Sequence, residues 1–159
     1  MSGKGTPAVT AARRAGVGVT IHELVASPAD GRGYGVAAAE ALGVPPERVF
    51  KTLVVAPDGG LAIAIVPVDH DCDLKAVAGA LGAKRAVMAD QRDAERATGY
   101  VVGGISPLGQ RRRLPTVVDA SAADHVTVFV SGGRRGLELE LAPADLIALT
   151  GAVVAPIAG

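Results

Sequence analysis

Two apolar, β-branched runs, Val49–Ala56 and Leu61–Val68, are separated only by Pro57-Asp58-Gly59-Gly60. Turn-forming residues between two strand-like runs predict a β-hairpin. Along the first run the side chains alternate. Val49, Lys51, Leu53 and Val55 fall on one face, and Phe50, Thr52 and Val54 on the other. Both faces are apolar, so this strand is expected to be covered on both sides. Lys51 is the exception within it. A lysine in such a strand costs desolvation free energy unless it has a partner or a ligand, or unless its ammonium reaches water at the strand end. The spacing leaves these readings open.

The remaining elements follow from punctuation. Thr6-Pro7 reads as an N-cap with proline at the first helical position, opening a helix over Ala8–Ala15 that Gly16 stops. Val19–Leu24 reads as a strand and Ser27–Gly33 as a loop. Tyr34–Leu42 is an alanine-rich helix closed by Gly43. Asp73 caps a helix with Leu74, Val77, Ala78 and Leu81 on one face, and Gly82 ends it. Asp90–Thr98 reads as a helix before Gly99. Pro115–Asp119, Val126–Ser131 and Leu137–Leu141 read as strands, and Pro143–Leu149 as a last helix before Gly151. Helices scattered among strands, with no linker or repeat, predict a single compact α/β (α+β) domain. Its sheet is expected to be mixed, curved and barrel-like, flanked by short helices. Residues 1–5 are expected to be a flexible N-terminus and 6–159 the domain.

Composition narrows the function classes. Lys plus Arg and Asp plus Glu are both 16, so the formal net charge is zero. That argues against holding duplex nucleic acid mainly by charge, while leaving room for a local basic face. The single cysteine precludes an internal disulfide framework and suits the cytoplasm. Met1–Gly5 carries no apolar run, so no signal peptide is expected, and the apolar runs are too short to span a membrane.

Two glycine-rich segments are candidate ligand loops: Gly103-Gly104-Ile105-Ser106-Pro107-Leu108-Gly109 and Ser131-Gly132-Gly133-Arg134-Arg135-Gly136. Glycines let a backbone approach a ligand and aim N–H groups at it. The alternative is that each is a tight structural turn. The first is not a phosphate-binding P-loop, since Gln110 and Arg111 follow it. Lys84-Arg85, Arg111–Arg113 and Arg134-Arg135 can grip phosphates or can be solvated surface charge. Asp69-His70-Asp71-Cys72-Asp73 lacks metal-ligand spacing, and Asp73 is better used as a cap. There is no GxSxG elbow, no HExxH pattern and no marked nucleophilic cysteine, so no metal and no cofactor are expected.

Taken in order, several short stretches resemble the YbaK/EbsC family, relatives of the editing domain inserted in bacterial prolyl-tRNA synthetases. They are Val49-Phe50-Lys51-Thr52-Leu53, Asp73-Leu74-Lys75, Ala80-Leu81-Gly82-Ala83-Lys84, Thr98-Gly99-Tyr100-Val101-Val102 and Gly103 to Gly109. Arg113-Leu114-Pro115-Thr116, Ser131-Gly132-Gly133 and Arg135-Gly136-Leu137 complete the set. The resemblance runs from Thr6 to about Ile157 and is specific through order and spacing. It implies deacylation of mischarged tRNA, chiefly Cys-tRNA(Pro), with tRNA as partner and prolyl-tRNA synthetase as a candidate second one. The key lysine of the family falls on Lys51, with Thr52 beside it. The pocket glycine falls on Gly103, the pocket serine on Ser131 and the loop aromatic on Tyr34. Gly104, Ser106, Pro107 and Gly133 join the expected site through their glycine-rich segments, and backbone N–H groups of Gly103 and Gly104 are candidate oxyanion donors. Two positions depart. Glu138 stands where the best-known member has Asp, and Val25 replaces an aromatic on the first strand. Competing readings are a deacylase for another small amino acid, Ala or Ser, a non-catalytic nucleotide- or amino-acid-binding module, and a surface-associated regulatory role.

Overall fold

The computed structural model describes residues 5–24 and 34–159. The Ser27–Gly33 loop and Val25 lie outside these. Helix α1 spans Pro7–Ala15; the Thr6 hydroxyl accepts the Val9 N–H, and Gly16 closes the helix at φ 71°. Strand β1 is Thr20–Glu23 and α2 is Tyr34–Leu42. The expected hairpin is β2, Phe50–Pro57, and β3, Ala62–Pro67, antiparallel with Lys51 opposite Val66 and Thr52 opposite Ile65. Asp58 sits at its turn with φ 46°, and its carboxylate accepts the N–H groups of Lys84 and Arg85. Helix α3, Leu74–Leu81, takes Asp73 as its cap and Gly82 as its stop.

A short strand absent from the sequence reading follows, β4 at Ala86–Met88. Helix α4 is Gln91–Thr98; Asp90 is its cap, accepting from Arg92 and Asp93, rather than its first residue. Then come β5 (Thr116–Asp119), β6 (Val128–Ser131), β7 (Leu137–Leu141), α5 (Pro143–Thr150) and a second unforeseen strand, β8 (Val153–Ala155). Strand β6 starts two residues later than expected, and Val126 is 89% exposed. At three residues each, β4 and β8 are too short to show a period-2 pattern.

The strands form two sheets rather than one closed barrel. One is antiparallel with order β1-β7-β6, and the other is mixed with order β4-β2-β3-β5-β8, where β3 pairs β5 and β5 pairs β8 in parallel. A single parallel bridge between Val49 and Phe129 joins them. The double-sided burial of the hairpin is visible in its packing. Phe50, Val54, Ile63 and Ile65 belong to the main core with Val128, Val130, Leu137 and Leu139 of the three-stranded sheet. Val55, Ala62, Ala64 and Val66 pack instead with Val77 of α3, Val117 and Ile157. The buried Asp119 ties the C-terminal segment down by accepting N–H groups from Ile157 at 2.8 Å and Ala158 at 2.9 Å. Burial pushes its carboxyl up, but these bonds and those from Ser121 outweigh it and hold the group below the usual range. Among the described residues no helix is long and apolar enough to cross a membrane.

Candidate active site

Among the described residues, the middle of β2, between the Val49–Phe129 bridge and the start of β4 pairing, has a partner on one edge only. β4 pairs with Val55–Pro57 alone and the bridge to β6 stops at Val49, so the stretch around Thr52 is uncovered on that side. Residues of an antiparallel ladder point their backbone groups alternately to opposite edges. Val54 turns its carbonyl to the β4 side, where it accepts the Ala89 N–H at 3.0 Å. Thr52, two residues earlier, therefore turns its own backbone N–H and carbonyl to the same edge, where no strand follows. A cleft of about 400 Å³ runs along this open edge, lined by Val49 to Val54, the start of α2, the start of α4, residues 102, 103 and 105, and Ser131, Arg135 and Glu138. The lining is mainly apolar side chain, with a few polar groups converging on it, as in small-ligand sites generally.

Six of the expected site residues meet here: Tyr34, Lys51, Thr52, Gly103, Ser131 and Glu138. Lys51 is half-buried and lies where this cleft adjoins a shallower depression containing Asp69, His70 and Asp71. Among the described residues it makes no ion pair. The Thr52 Oγ1 is buried with no hydrogen-bond partner among the described residues. A buried orphan hydroxyl costs about 1–3 kcal/mol, and a ligand that supplies a partner recovers it. The Ser131 Oγ accepts the Gly133 N–H at 3.0 Å, leaving its proton to donate elsewhere.

Glu138 is 2% exposed on β7. The Tyr34 hydroxyl donates to its Oε2 at 3.2 Å and itself accepts the Gly136 N–H at 2.6 Å. Burial pushes the Glu138 carboxyl up to about 7, with the Tyr34 bond opposing the rise in part. Burial, then the neighbouring Glu138 charge, pushes Tyr34 up to about 12. Around neutral pH the cleft thus holds a carboxyl that exchanges readily between acid and base forms.

Gly103 has φ 100°, and a β-carbon there would lie 2.9 Å from the Arg135 Nε. The missing side chain lets the Arg135 guanidinium settle across the cleft mouth, 5.5 Å from the Tyr34 ring centroid. The Gly103 N–H has no partner among the described residues, so it is available to a ligand.

Four expected site residues do not line the cleft. The Gly104 N–H donates to the Val101 carbonyl at 2.8 Å, which removes it as an oxyanion donor, and its α-carbon packs against the Arg134 backbone. Ser106 is fully buried, its Oγ accepting the Leu108 N–H at 3.2 Å. Pro107 faces a separate depression beside Gln110 and Arg113. Gly133 packs on the Tyr100 ring. The structural-turn reading therefore holds for most of 104–109, and only the start of that segment reaches the cleft. Among the cleft residues that the sequence did not single out are Gln91, Met88 and Val68. They come from elements whose approach to β2 no local pattern encodes. Arg135 was legible as part of a basic pair, of a glycine-rich loop and of the Arg135-Gly136-Leu137 landmark, but not as a cleft residue in its own right. Among the described residues no group of three or more His, Cys, Asp or Glu is placed to hold a metal ion.

Fold and cleft together define an α/β protein with a largely apolar site for a small ligand, with cationic groups at its edge. A family model described as the aminoacyl-tRNA editing domain matches residues 32–149, and the chain belongs to this family. It is 41% identical over 113 residues, 70% of this chain and 69% of the other, to an Enterococcus faecalis protein named as the Cys-tRNA(Pro)/Cys-tRNA(Cys) deacylase EbsC. A proline–tRNA ligase of Geobacter sulfurreducens is 33% identical over 95 residues, which span 60% of this chain but 16% of the ligase. A crystal structure described as a trans-editing enzyme for prolyl tRNA synthetase superposes with a TM-score of 0.84 at 27% identity, covering 96% of this chain and 95% of that one.

Proposed function

We propose that the chain is a trans-editing aminoacyl-tRNA deacylase that removes cysteine from mischarged Cys-tRNA(Pro). The observation that carries this is Lys51, a cation with no ion-pair partner among the described residues, at the edge of an apolar cleft of about 400 Å³, large enough for an aminoacyl-adenosine. An aminoacyl ester is already activated, so the protein's task is to hold the terminal adenosine and stabilise the carbonyl oxygen as it gains charge. In this reading Lys51 anchors the terminal phosphate or polarises the carbonyl, and the Gly103 N–H is the oxyanion donor. Ester cleavage, by water or by the substrate's own thiol, breaks the acyl C–O bond and returns the proton to the departing ribose hydroxyl. Glu138, pushed up by burial to about 7, exchanges that proton in this reading. Tyr34 holds Glu138, and the Ser131 hydroxyl and the Thr52 edge supply hydrogen bonds to the aminoacyl-adenosine. The need for such a site follows from energetics: a prolyl pocket cannot strongly reject a residue of similar small size.

The proposed domain covers residues 6–159, acts in the cytoplasm on the acceptor end of tRNA, and needs no cofactor. Prolyl-tRNA synthetase is the proposed partner, supported by the likeness to proline–tRNA ligases. A second reading is Ala or Ser as the amino acid removed; the unpaired Thr52 hydroxyl favours Ser of the two, since only a polar side chain can supply its partner. The test is deacylation of Cys-, Ala-, Ser- and Pro-tRNA(Pro) by wild type and Lys51→Ala. Loss of Cys-tRNA(Pro) alone, abolished by Lys51→Ala, is expected. Cleavage of Ala- or Ser-tRNA instead moves the specificity, and no cleavage of any substrate leaves the chain a binding module.

A further inference from the structure

Beside the cleft lies a second, more open groove of about 420 Å³, which shares Val102, Gly103 and Arg135 with it. Because the two concavities have a wall in common, a strand whose end occupies the cleft can continue into the groove without leaving the surface. The glycines of its floor are explained by packing. A β-carbon at Gly104 would lie 2.8 Å from the Arg134 Cα, and one at Gly133 would lie 2.9 Å from the Tyr100 ring.

Three arginines gather at this groove. Arg135 and Arg134 line the groove directly. Arg111, outside the lining itself, packs on the groove residue Gly99, 3.6 Å from the place of a β-carbon there. Among the described residues the Arg135 and Arg111 guanidiniums have no carboxylate partner; that of Arg111 donates only to the Arg96 carbonyl at 3.4 Å. Arg134 pairs with Glu23 at 3.1 Å and donates to the Arg135 carbonyl at 3.3 Å. Both members of that ion pair are well exposed, so it is weak and exchangeable. Of the nearby acids, the Glu95 carboxylate is already engaged by the Val102 N–H at 2.8 Å. Val101, 71% exposed, and Val102, 48% exposed, add apolar surface alongside these charges. In a chain of zero formal net charge, this is a local cationic channel with apolar flanks. A sugar–phosphate backbone with bases laid against apolar surface is the ligand that matches both features.

We propose that this groove binds the phosphodiester backbone of the single-stranded nucleotides that immediately precede the tRNA's terminal adenosine. The proposal rests on the deacylase reading of the cleft, since continuity with the cleft selects nucleic acid over an acidic peptide. Arg134 and Arg111 lie outside the cleft and are the residues to change. The experiment compares wild type with an Arg111→Ala, Arg134→Ala double variant on two substrates, Cys-tRNA(Pro) and the cysteinyl ester of adenosine, which has no preceding nucleotide. Thermal unfolding confirms that the variant is folded. The expected result is a fall of about tenfold in kcat/KM on the tRNA, carried by KM, as loss of charge-assisted contacts implies. The salt dependence becomes shallower by roughly one per lost contact, and cleavage of the adenosine ester is unchanged. Unchanged tRNA kinetics, or an equal fall on both substrates, overturns the groove. If wild type cleaves neither substrate, the deacylase reading fails by itself. The groove is then judged on binding of a short single-stranded RNA with the acceptor-end sequence: weaker binding by the double variant supports it, and equal binding overturns it.

Discussion

Glu138 and Glu140 lie two residues apart on the same face of β7, yet they occupy opposite electrostatic regions. Glu140, at the outer end, accepts from the Thr127 hydroxyl at 2.6 Å, meets His22 at 3.0 Å and has Arg48 at 3.6 Å. The Thr127 bond first, then His22, hold its carboxyl below the usual range. Glu138, at the cleft end, is more deeply buried, has only the Tyr34 hydroxyl donating to it among the described residues, and is pushed up to about 7. One carboxylate is consumed by structure. The other is kept short of partners, at a cost to stability, in the place where a ligand can reach it. Such unspent polar groups in a cleft are a physical mark of a functional site.

The sharpest way to break this contrast is the pair Glu138→Gln and Glu140→Gln. Deacylation by Glu138→Gln is expected to fall by roughly a hundredfold, within the range for loss of a proton-transfer group, while Glu140→Gln retains activity. Their stabilities at pH 8 are expected to move in opposite directions, measured by denaturant unfolding. Glu140→Gln loses about 1 kcal/mol with its charge-assisted bonds, and Glu138→Gln gains a comparable amount by relieving a buried charge.

The pH dependence of stability separates the two further. Glu138 has a folded pKa above its unfolded value, so its contribution is fully present below about 4.5 and is lost as pH rises through about 7. Glu140 is depressed, so its contribution is present above the unfolded value and disappears as pH falls through the folded one. Melting temperatures across pH 3–9 are expected to show the neutral-range decline vanish in Glu138→Gln and the acid-range decline soften in Glu140→Gln.

A smaller effect is expected from Tyr34→Phe, which orphans the Gly136 N–H and removes the one bond that lowers Glu138. Stability falls by about 1 kcal/mol, and the ionisation seen in the pH–rate profile moves to higher pH. A profile that stays in place separates the observed ionisation from Glu138. The smallest effect belongs to His22→Ala. It removes a partly exposed pair, with a change of about 0.5 kcal/mol in unfolding free energy and no change in rate.

Local chemistry made much of the architecture readable in advance. Thr6, Asp73 and Asp90 act as caps, Gly16, Gly82 and Gly99 act as stops with positive φ, and the Pro57–Gly60 turn joins a hairpin buried on both faces. Each of these signals lies within a few residues of the feature it produces, so the amino-acid sequence by itself determines it. The ordered motifs likewise pointed to Lys51, Gly103 and Ser131, which the fold brings to one cleft. Tertiary structure alone decided the rest. The short strands β4 and β8 exist because neighbours offer them an edge. The open edge at Thr52 exists because β4 stops pairing at Val55. The N–H groups of Gly103 and Gly104 differ because Val101 accepts that of Gly104, while that of Gly103 has no partner among the described residues. Glu138 and Glu140 are the same letter in one alternating strand, and only the packing of distant segments against β7 leaves one dry and the other paired. Burial and pairing are sums over contacts remote in sequence, which no local pattern carries.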